Sequence, residues 1–332
     1  MNSIFNSKPP NFTMKEISKF IDEEYNLDGD LRILDSDRDQ NFHIYSNQID
    51  HILKISNPAE QSCVLELQDK ATRYILARNP KIEVPIQKGP IKRKKKDGVM
   101  YSIRLLSYVK GKPLDRSRMV PEYCFKLGNL IGDLSLALDD FDHSGARRVF
   151  DWDVAQTELM AEKVKYLDSK IKQKTVYYFL TLFNDCISPL LSKLRKAVIH
   201  NDMNENNIMI RNKGLSIGII DFGDMVYTYQ VLEPSICAAY LSLGDLDPLP
   251  KVISFMKGYQ SVYPLNQNEI ASIPYLISLR LCLTAIMASW RKKLFPENKY
   301  LTISQQNAWI SLQMMQDISL EDWSSTLIKH VQ

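Results

Sequence analysis

The sequence lacks paired cysteines, a long apolar run and a strong excess of one charge, and each absence excludes a class of protein. Its 332 residues include 5 cysteines, none at zinc-binding or redox spacing, which predicts free thiols in a reducing, cytoplasmic compartment. The most apolar region, Ile270–Trp290, is interrupted by Pro274 and Arg280, so we expect a buried helix and no membrane span. Residues 1–12 lack a charged start followed by an apolar stretch, so no secretory signal is expected.

The charge balance argues against a protein that coats nucleic acid. There are 42 Lys and Arg against 39 Asp and Glu, a formal net charge of +3. Five basic residues form one run, Lys92–Lys96, and the rest of the chain is slightly acidic without them. The run lies near Gly89, Pro90 and Gly98 and has no interleaved aromatic residues, which favours a solvated hairpin turn over a nucleic-acid patch. We therefore expect a small-molecule substrate, no nucleic-acid or membrane partner, and a monomer or homodimer.

The first third of the chain is typical of a small sheet with one main helix. Thr13 and Glu16 form a capping-box pattern, which predicts a helix that ends near Gly29. A second, main helix is predicted from Pro58 to about Arg78. Short segments rich in strand formers predict strands at 31–34, 42–45, 52–55, 82–87 and 99–106.

Helical patterns dominate after Tyr108. A compact strand-like insert at 198–221 interrupts helices predicted at 121–142, 151–169, 175–194, 234–243, 248–262, 273–290 and 303–315. The chain is thus predicted to have an α+β fold with two lobes. A small antiparallel-sheet lobe with one main helix spans 1–108, a larger and mostly helical lobe spans 109–332, and the cleft between them is the expected ligand site.

The insert carries the residues that point to chemistry. His200-Asn201-Asp202 is followed by Asn207, and Asp221-Phe222-Gly223 comes shortly after. In this order and spacing they resemble the H-x-D-x-x-x-x-N catalytic loop and the D-F-G metal motif of the kinase fold. The apolar segments 208–210 and 217–220 are expected to pair as a hairpin that presents both motifs to the cleft. A two-lobed protein-kinase-like fold is therefore predicted.

Each polar residue of the insert has an expected role in phosphoryl transfer. Asp202 is the expected catalytic base, because a carboxylate there can accept the proton of an attacking hydroxyl. Asn207 and Asp221 offer hard oxygen ligands to Mg²⁺ that bridges the donor phosphates. His200 is expected to hold the loop by hydrogen bonding without touching the substrate.

The small lobe is expected to supply a phosphate-binding lysine. Lys54 lies on the third predicted strand, with Leu53 and Ile55 on the opposite face, although a solvent-exposed edge lysine has the same pattern. Its expected carboxylate partner on the next helix is Glu66, with Glu60 as the alternative. The preceding turn, 35–41, has no glycine, so it differs from the glycine-rich flap of protein kinases, although its backbone amides could cover phosphates.

Together these motifs resemble the aminoglycoside phosphotransferase and choline kinase superfamily, and within it the hydroxylysine kinases and their bacterial relatives. The similarity covers about 30–315 and also includes Asp39–His43, the acid Asp224 after the glycine, Arg280-Leu281 and the segment 299–304. In two places the chain departs from the superfamily pattern. Asn201 stands where glycine is usual, and Pro234 follows Glu233 where an apolar residue is usual.

The resemblance implies transfer of the γ-phosphoryl group of ATP or GTP, with Mg²⁺, to a hydroxyl of a small amino compound. Gln40, Asn41, Ser107 and Val109 are expected to complete the nucleotide site. A zwitterionic amino alcohol also needs acids for its ammonium and a cation for its carboxylate.

The acceptor-binding residues are expected near the active loops. Asp224, Glu205 and Glu233 are the candidate acids for an ammonium group. Arg280 lies in an apolar helix, where an unpaired charge is costly, so it either faces the cleft or bridges to an acid.

Other functions remain open at this point. An aminoglycoside, choline or homoserine kinase has the same core motifs, and so would a nucleotide-binding pseudokinase module. A protein kinase is disfavoured, because the segment 224–232 is too short for a peptide-docking activation segment and no Ala-Pro-Glu follows.

Overall fold

A five-stranded antiparallel sheet forms the centre of the smaller lobe in a computed structural model, which describes residues 4–211 and 216–332. The strands lie in the order β1-β2-β3-β5-β4. Their bounds are Asp30–Leu34 (β1), Gln40–Ser46 (β2), Ile49–Ile55 (β3), Lys92–Lys96 (β4) and Val99–Ser107 (β5). Helix α1, Met14–Tyr25, precedes the sheet, and helix α2, Ser62–Arg78, follows β3.

Helix α1 begins at the predicted capping box. The Thr13 side chain accepts from the backbone of Glu16, and the Glu16 side chain accepts from the backbone of Thr13. The helix ends at Asn26, which has a left-handed conformation (φ 51°), a few residues before the predicted end at Gly29. Its apolar side chains join the inward-facing residues of the sheet in one buried cluster, which includes Ile17, Phe20, Ile21, Phe42, Ile44 and Leu53.

The prediction that Lys92–Lys96 forms a hairpin turn is wrong, because the run is the edge strand β4. The turn itself lies at Asp97 and Gly98, which both have positive φ. Lys92 and Lys96 form ion pairs with acids of α1, at 2.9 Å and 2.7 Å. Lys94 lies over the ring of Phe20, 4.9 Å from its centroid. Alternate basic residues therefore attach α1 to the edge of the sheet.

The strand predicted at 82–87 does not form. In its place the chain makes isolated bridges, from Glu83 to Gly218 and from Gln87 to Leu106. The first bridge joins this segment to the larger lobe, so the segment lies along the junction between the lobes.

The larger lobe is mostly helical, and with it the predicted two-lobed α+β fold is confirmed. Its helices are Pro121–Leu138 (α3), Thr157–Lys163 (α4), Lys170–Cys186 (α5), Leu232–Leu241 (α6), Leu249–Val262 (α7), Gln267–Leu294 (α8), Gln305–Gln316 (α9) and Leu320–Val331 (α10). The long helix predicted at 151–169 is reduced to α4 and a 3₁₀ turn, Val164–Tyr166. The division of the lobes at 108 and 109 stays a prediction.

Short strands carry the motifs of the insert. They are Lys112–Pro113 (β6), Lys196–Ile199 (β7), Ile208–Arg211 (β8), Ser216–Ile219 (β9) and Val226–Tyr229 (β10). As predicted, β8 and β9 pair as an antiparallel hairpin, and β6 pairs with the other edge of β8. Strand β7 pairs with β10. The loop after β7 and the loop after β9 therefore both reach the cleft.

Helix α8 is the core helix of the larger lobe. Within the described residues, it alone is long and apolar enough to cross a membrane, but 94% of its most apolar window is buried in the protein. It begins at a capping box between Asn266 and Glu269. Two arginines on this helix, Arg280 and Arg291, are 1% and 2% exposed, and both point to the cleft region described next.

Candidate active site

His200 holds the loop that follows β7. Its Nδ1 accepts from the backbone N–H of Asp202 at 3.3 Å, and its Nε2 lies 3.0 Å from the carbonyl oxygen of Ile220. Its ring packs edge-on against Phe222, with the centroids 4.7 Å apart. Burial lowers the pKa of His200 to about 4, so the ring is neutral and Nε2 donates to the carbonyl. His200 thus joins the two motif-bearing loops.

Asn201 has a conformation that explains why glycine is usual at this position. Its φ is 67°, in the left-handed region that favours glycine and, among other residues, asparagine. Its side-chain amide donates to the carbonyl oxygens of Trp152 at 3.4 Å and Asp224 at 3.3 Å. The asparagine therefore adopts a left-handed conformation that glycine would also allow, and its side chain links the loop to its neighbours.

Both carboxylate oxygens of Asp202 are held by neighbouring side chains. Arg280 donates to Oδ1 at 2.9 Å, and the amide of Asn207 donates to Oδ2 at 2.7 Å. Burial, and then the negative charge of Asp224, raise the pKa of Asp202 to about 7 against the opposing charge of Arg280. Asp202 is therefore in one fixed orientation, with a pKa suited to proton transfer near neutral pH.

Arg280 bridges to an acid, and that acid is Asp202. Its guanidinium also donates to the carbonyl oxygen of Asn201 at 3.3 Å and to the hydroxyl of Tyr240 at 3.2 Å. The rings of Trp152 and Tyr240 have their centroids 4.7 Å and 5.3 Å from the guanidinium carbon. Of the two alternatives open from the sequence, the structure therefore shows the ion pair.

Lys54 pairs with Asp221 at 2.7 Å and lies 3.4 Å from Asp39. Burial alone would raise the pKa of Asp221, but the charge and hydrogen bond of Lys54 outweigh it, so the pKa lies well below its usual range. The structure does not place either predicted partner beside Lys54. Glu66 is exposed and pairs with Lys70, while Glu60 lies 3.7 Å from Arg148. The carboxylate partner comes from the β1–β2 turn rather than from α2.

Two cavities meet at this ion pair. The larger, about 580 Å³, is lined by the predicted nucleotide and metal residues Asn41, Lys54, Ser107, Val109, Asn207 and Asp221. The smaller, about 150 Å³, is lined by the predicted base and two predicted acceptor-binding acids, Asp202, Glu205 and Asp224. Lys54 and Asp221 line both cavities. The cavities are therefore neighbours that share one wall.

Besides His200 and Arg280, three predicted site residues line neither cavity, as far as residues 4–211 and 216–332 are concerned. Gln40 exchanges two hydrogen bonds of 2.8 Å with the backbone of Phe12. Glu233 is 1% exposed and accepts from the backbone N–H of His200 at 2.5 Å. Glu66 is the third. Glu233 therefore holds the loop after β7 from its buried side.

The β1–β2 turn contains ion pairs beside the cavities that the sequence did not reveal. Its three consecutive residues Asp37, Arg38 and Asp39 each reach a different partner. Asp37 pairs with Arg291 at 2.8 Å, and Arg38 pairs with Asp224 at 2.7 Å. Gly223 lies against this second pair, since a Cβ there would be 2.5 Å from the Arg38 guanidinium. The feature of the sequence that could have indicated these ion pairs is the high charge of this glycine-free turn.

Arg104 is another residue that sequence reasoning missed. It lies directly opposite Lys54 in the β3–β5 ladder and lines the larger cavity. Its side chain is 2% exposed and donates to Gln68 at 3.1 Å. Within the described residues, its Nε and Nη2 are buried without a hydrogen-bond partner. Burial lowers the pKa of Arg104. A ligand in the larger cavity could supply the hydrogen-bond acceptors that these two nitrogens lack.

The residues present fit a divalent cation shared with phosphate groups. Across residues 4–211 and 216–332, no group of three His, Cys, Asp or Glu side chains is arranged to hold a metal alone. Asn207 and Asp221 line the larger cavity and offer hard oxygens. The amide nitrogen of Asn207 is bonded to Asp202, which leaves its oxygen for a cation. Such a partial oxygen set suits Mg²⁺, which takes its other ligands from phosphates and water.

Comparisons with known proteins agree with this geometry. A family model described as "Phosphotransferase enzyme family" (APH) matches residues 30–252. Hydroxylysine kinase of Mus musculus is 27% identical to the chain, and the alignment covers 94% of this chain and 91% of that protein.

Solved structures with little sequence identity have the same fold. A microcompartment-associated aminopropanol kinase aligns with a TM-score of 0.74 at 15% identity, over 90% of this chain and 96% of that one. Amicoumacin kinase hAmiN, solved with AMP-PNP, Ca²⁺ and Ami, aligns with a TM-score of 0.68 at 15% identity, over 93% and 96%. The expected kinase-like fold is therefore confirmed.

Proposed function

Because the chain belongs to the phosphotransferase enzyme family, it is a small-molecule kinase, and we propose that its acceptor is a hydroxyl on a cationic amino compound of the hydroxylysine type. The donor is ATP or GTP with Mg²⁺. The observation that supports the proposal most directly is the position of Asp202. Its two oxygens are fixed by Arg280 and Asn207, and it faces the smaller cavity beside the Lys54–Asp221 pair.

The charge of the smaller cavity supports a cationic acceptor. Six carboxylates line it, and they outnumber the nearby cations by one. The acids are Asp37, Asp39, Asp202, Glu205, Asp221 and Asp224. The cations are Arg38, Lys54 and Arg291 in the lining, and Arg116 and Arg280, which pair with Glu205 and Asp202 from outside it. Glu205 pairs with Arg116 through Oε1, while its Oε2 is buried without a hydrogen-bond partner within the described residues. An ammonium group would supply that partner and reduce the excess of negative charge.

In the proposed reaction, Asp202 accepts the hydroxyl proton as the acceptor oxygen bonds to the γ-phosphorus. The bond from that phosphorus to the bridging oxygen of the leaving nucleoside diphosphate breaks in line with it. Arg280 and Asn207 keep the carboxylate aimed at the hydroxyl, and Lys54 stabilises charge on the phosphates. Asn207 and Asp221 would hold the Mg²⁺, which neutralises phosphate charge when bound.

The larger cavity suits the donor nucleotide. Asn41 faces it with a side-chain oxygen that is buried and without a partner among the described residues, and Arg104 faces it with unpartnered nitrogens. Ser107 and Val109 lie at the junction of the lobes. We propose that the nucleotide lies between these residues, with its phosphates at Lys54. We also propose that the reaction takes place in the cytoplasm. The protein is a monomer or homodimer that binds neither nucleic acid nor a membrane.

A coupled assay tests the proposal by crossing ATP and GTP with hydroxylysine, ethanolamine, choline, homoserine and an aminoglycoside. An Asp202→Asn enzyme is the blank. We expect a compact amino alcohol to be phosphorylated, because the smaller cavity of about 150 Å³ leaves little room for a multi-ring acceptor. If no acceptor is phosphorylated while nucleotide still raises the melting temperature, a nucleotide-binding module is the better description.

A further inference from the structure

The N-terminal segment joins the hydrophobic cores of the two lobes. Phe12 is 3% exposed and belongs to the buried cluster between α1 and the five-stranded sheet. Phe5 is fully buried and belongs to the cluster of the larger lobe. Its ring centroid lies 5.7 Å from that of Phe150 and 6.4 Å from that of Trp290. A few residues of chain therefore anchor one aromatic ring in each lobe.

Side chains of the smaller lobe hold the backbone between these two rings. Gln40 exchanges hydrogen bonds with the backbone of Phe12, and Lys96 donates to the carbonyl oxygen of Asn11 at 3.0 Å. Asn57 donates to the carbonyl oxygen of Lys8 at 3.4 Å. The segment therefore follows a defined path along the sheet before it enters the larger lobe.

Phe5 lies against two buried arginines at the smaller cavity. The guanidinium carbons of Arg38 and Arg291 are each 5.4 Å from the centroid of its ring. Arg291 also donates to the carbonyl oxygen of Phe5. The arginines are 8% and 2% exposed and line the smaller cavity. Phe5 thus supplies a ring face and a carbonyl acceptor where water cannot reach.

Each arginine fixes a carboxylate of the smaller cavity. Arg38 pairs with Asp224, three residues after Asp221, and Arg291 pairs with Asp37 of the β1–β2 turn. Buried guanidinium groups keep one orientation only when their surroundings satisfy them on several sides. The contacts of Phe5 therefore help to set the positions of both ion pairs.

We propose that Phe5 is a positioning residue of the acceptor pocket: it holds Arg38 and Arg291 so that Asp224 and Asp37 keep the places they need around the acceptor. The inference rests on the proposed function only in taking the smaller cavity as that pocket. Without the Phe5 ring, Arg38 keeps the ring of Phe150 at 5.8 Å and Arg291 keeps the ring of Phe295 at 4.6 Å, but both guanidinium groups lose the contact that they share and gain rotational freedom. The β1–β2 turn and the loop of Asp224 then separate more easily. Phe5 contacts neither donor nor acceptor and acts through these arginines.

The test compares Phe5→Leu with Phe12→Leu. The two phenylalanines make a matched pair, because both are buried on the same segment and both have a cation over the ring, Lys96 in the case of Phe12. Both substitutions keep an apolar side chain and remove the aromatic face. Phe12 is in the core of the smaller lobe, away from the acceptor pocket, so its variant reports the loss of stability alone.

We expect Phe5→Leu to raise the acceptor KM by about fivefold or more, because two cation–π contacts are lost. The nucleotide KM should change by less than about twofold. Phe12→Leu should leave both KM values within about twofold of wild type, with a similar loss of melting temperature. If the two variants change the acceptor KM alike once the folded fraction is corrected, Phe5 has only a structural role and the proposal fails.

Hydrogen exchange of the 36–39 amides gives a readout that does not depend on turnover. Phe5→Leu should speed this exchange by about tenfold, and Phe12→Leu should not. Unchanged exchange in Phe5→Leu overturns the proposal, even in an active enzyme. If the wild type phosphorylates no acceptor, the proposed function fails, and the exchange comparison still decides the role of Phe5. Phe5→Met takes the same test if Phe5→Leu does not fold.

Discussion

The guanidinium of Arg280 donates a 2.9 Å hydrogen bond to the carboxylate of Asp202, although the two residues are 78 positions apart in the chain. The arginine comes from the middle of the core helix α8, so the proposed base is attached to a buried helix of the larger lobe. Asn207 holds the other oxygen of the same carboxylate. The orientation of Asp202 is therefore set before any ligand binds.

Replacement of the proposed base should remove turnover and leave donor binding intact. Asp202→Asn keeps the size of the side chain but cannot accept a proton, so we expect turnover to fall by about 10²–10⁴-fold. Nucleotide affinity, measured by titration calorimetry, should stay within about threefold of wild type. The control is Asp245→Asn, which removes a surface ion pair with Lys251. Unchanged turnover in Asp202→Asn would rule out this base.

Arg280→Lys distinguishes a residue that orients the base from one that binds the acceptor's carboxylate. Lysine lacks the planar fork that reaches Asp202, Tyr240 and the loop carbonyl together, so we expect turnover to fall by about tenfold or more. The loss should be equal for hydroxylysine and for ethanolamine, which has no carboxylate. A loss confined to carboxylate-bearing acceptors would instead make Arg280 a substrate-binding residue. Arg78→Lys, on the surface, is the control.

Asp221→Asn should weaken the binding of the metal–nucleotide complex. The substitution removes a charge that pairs with Lys54 and a hard oxygen ligand for the cation. We expect nucleotide affinity in the presence of Mg²⁺ to fall by about tenfold or more, and affinity in EDTA to change far less. Parallel titrations with and without Mg²⁺ measure this difference, and an equal loss in both would contradict the metal role.

Arg104→Met should change stability and donor binding in opposite directions. The guanidinium is buried beside Lys54 with two unpartnered nitrogens, so its removal should raise the melting temperature of the ligand-free protein. Nucleotide affinity should fall by about tenfold, because oxygen atoms of the nucleotide lose a charged hydrogen-bond partner. Thermal unfolding with and without nucleotide checks both signs. A lower melting temperature with unchanged affinity would show a purely structural arginine.

Glu233 should make stability depend on pH. Burial raises its pKa from 4.5 to about 7, with the charge of Asp202 acting in the same direction, while hydrogen bonds from the loop backbone and the charge of Arg280 oppose it. The stability that protonation contributes is therefore fully present below about pH 4.5 and is lost as pH rises through about 7.

The matching variant for this prediction is Glu233→Gln, which stays neutral at every pH. Relative to it, the wild type should lose up to about 3 kcal/mol of unfolding free energy between pH 5 and 8. Urea unfolding of the two proteins at several pH values measures the difference. Parallel pH curves would show that Glu233 has no raised pKa.

The sequence was most informative where chemistry requires particular residues at fixed local spacing. The loop from His200 to Asn207 and the segment from Asp221 to Gly223 lie within one short insert, so their order alone predicted that they meet. Lys54 was predicted as the phosphate-binding lysine because it lies on the third predicted strand. The confirmed two-lobed fold followed from the change in apolar periodicity after Tyr108.

The sequence could not predict partners that come from distant elements. The Arg38–Asp224 and Arg291–Asp37 pairs join residues whose separation carries no local signal. Glu66 lies on the exposed face of α2, and the helical period alone did not reveal which face turns to the cleft. The run Lys92–Lys96 was predicted as a turn because lysine is a poor strand former. In the structure, Lys92 and Lys96 of this edge strand pair with acids of α1.

The wall shared by the two cavities has a thermodynamic consequence. A donor in the larger cavity and an acceptor in the smaller one would meet the same ion pair, Lys54 and Asp221. Whichever ligand binds first changes the charge and freedom of that pair, so the second ligand binds to an altered surface. By linkage, the factor by which the nucleotide changes acceptor affinity is also the factor by which the acceptor changes nucleotide affinity. One ion pair thus makes the two substrates reciprocal effectors of each other.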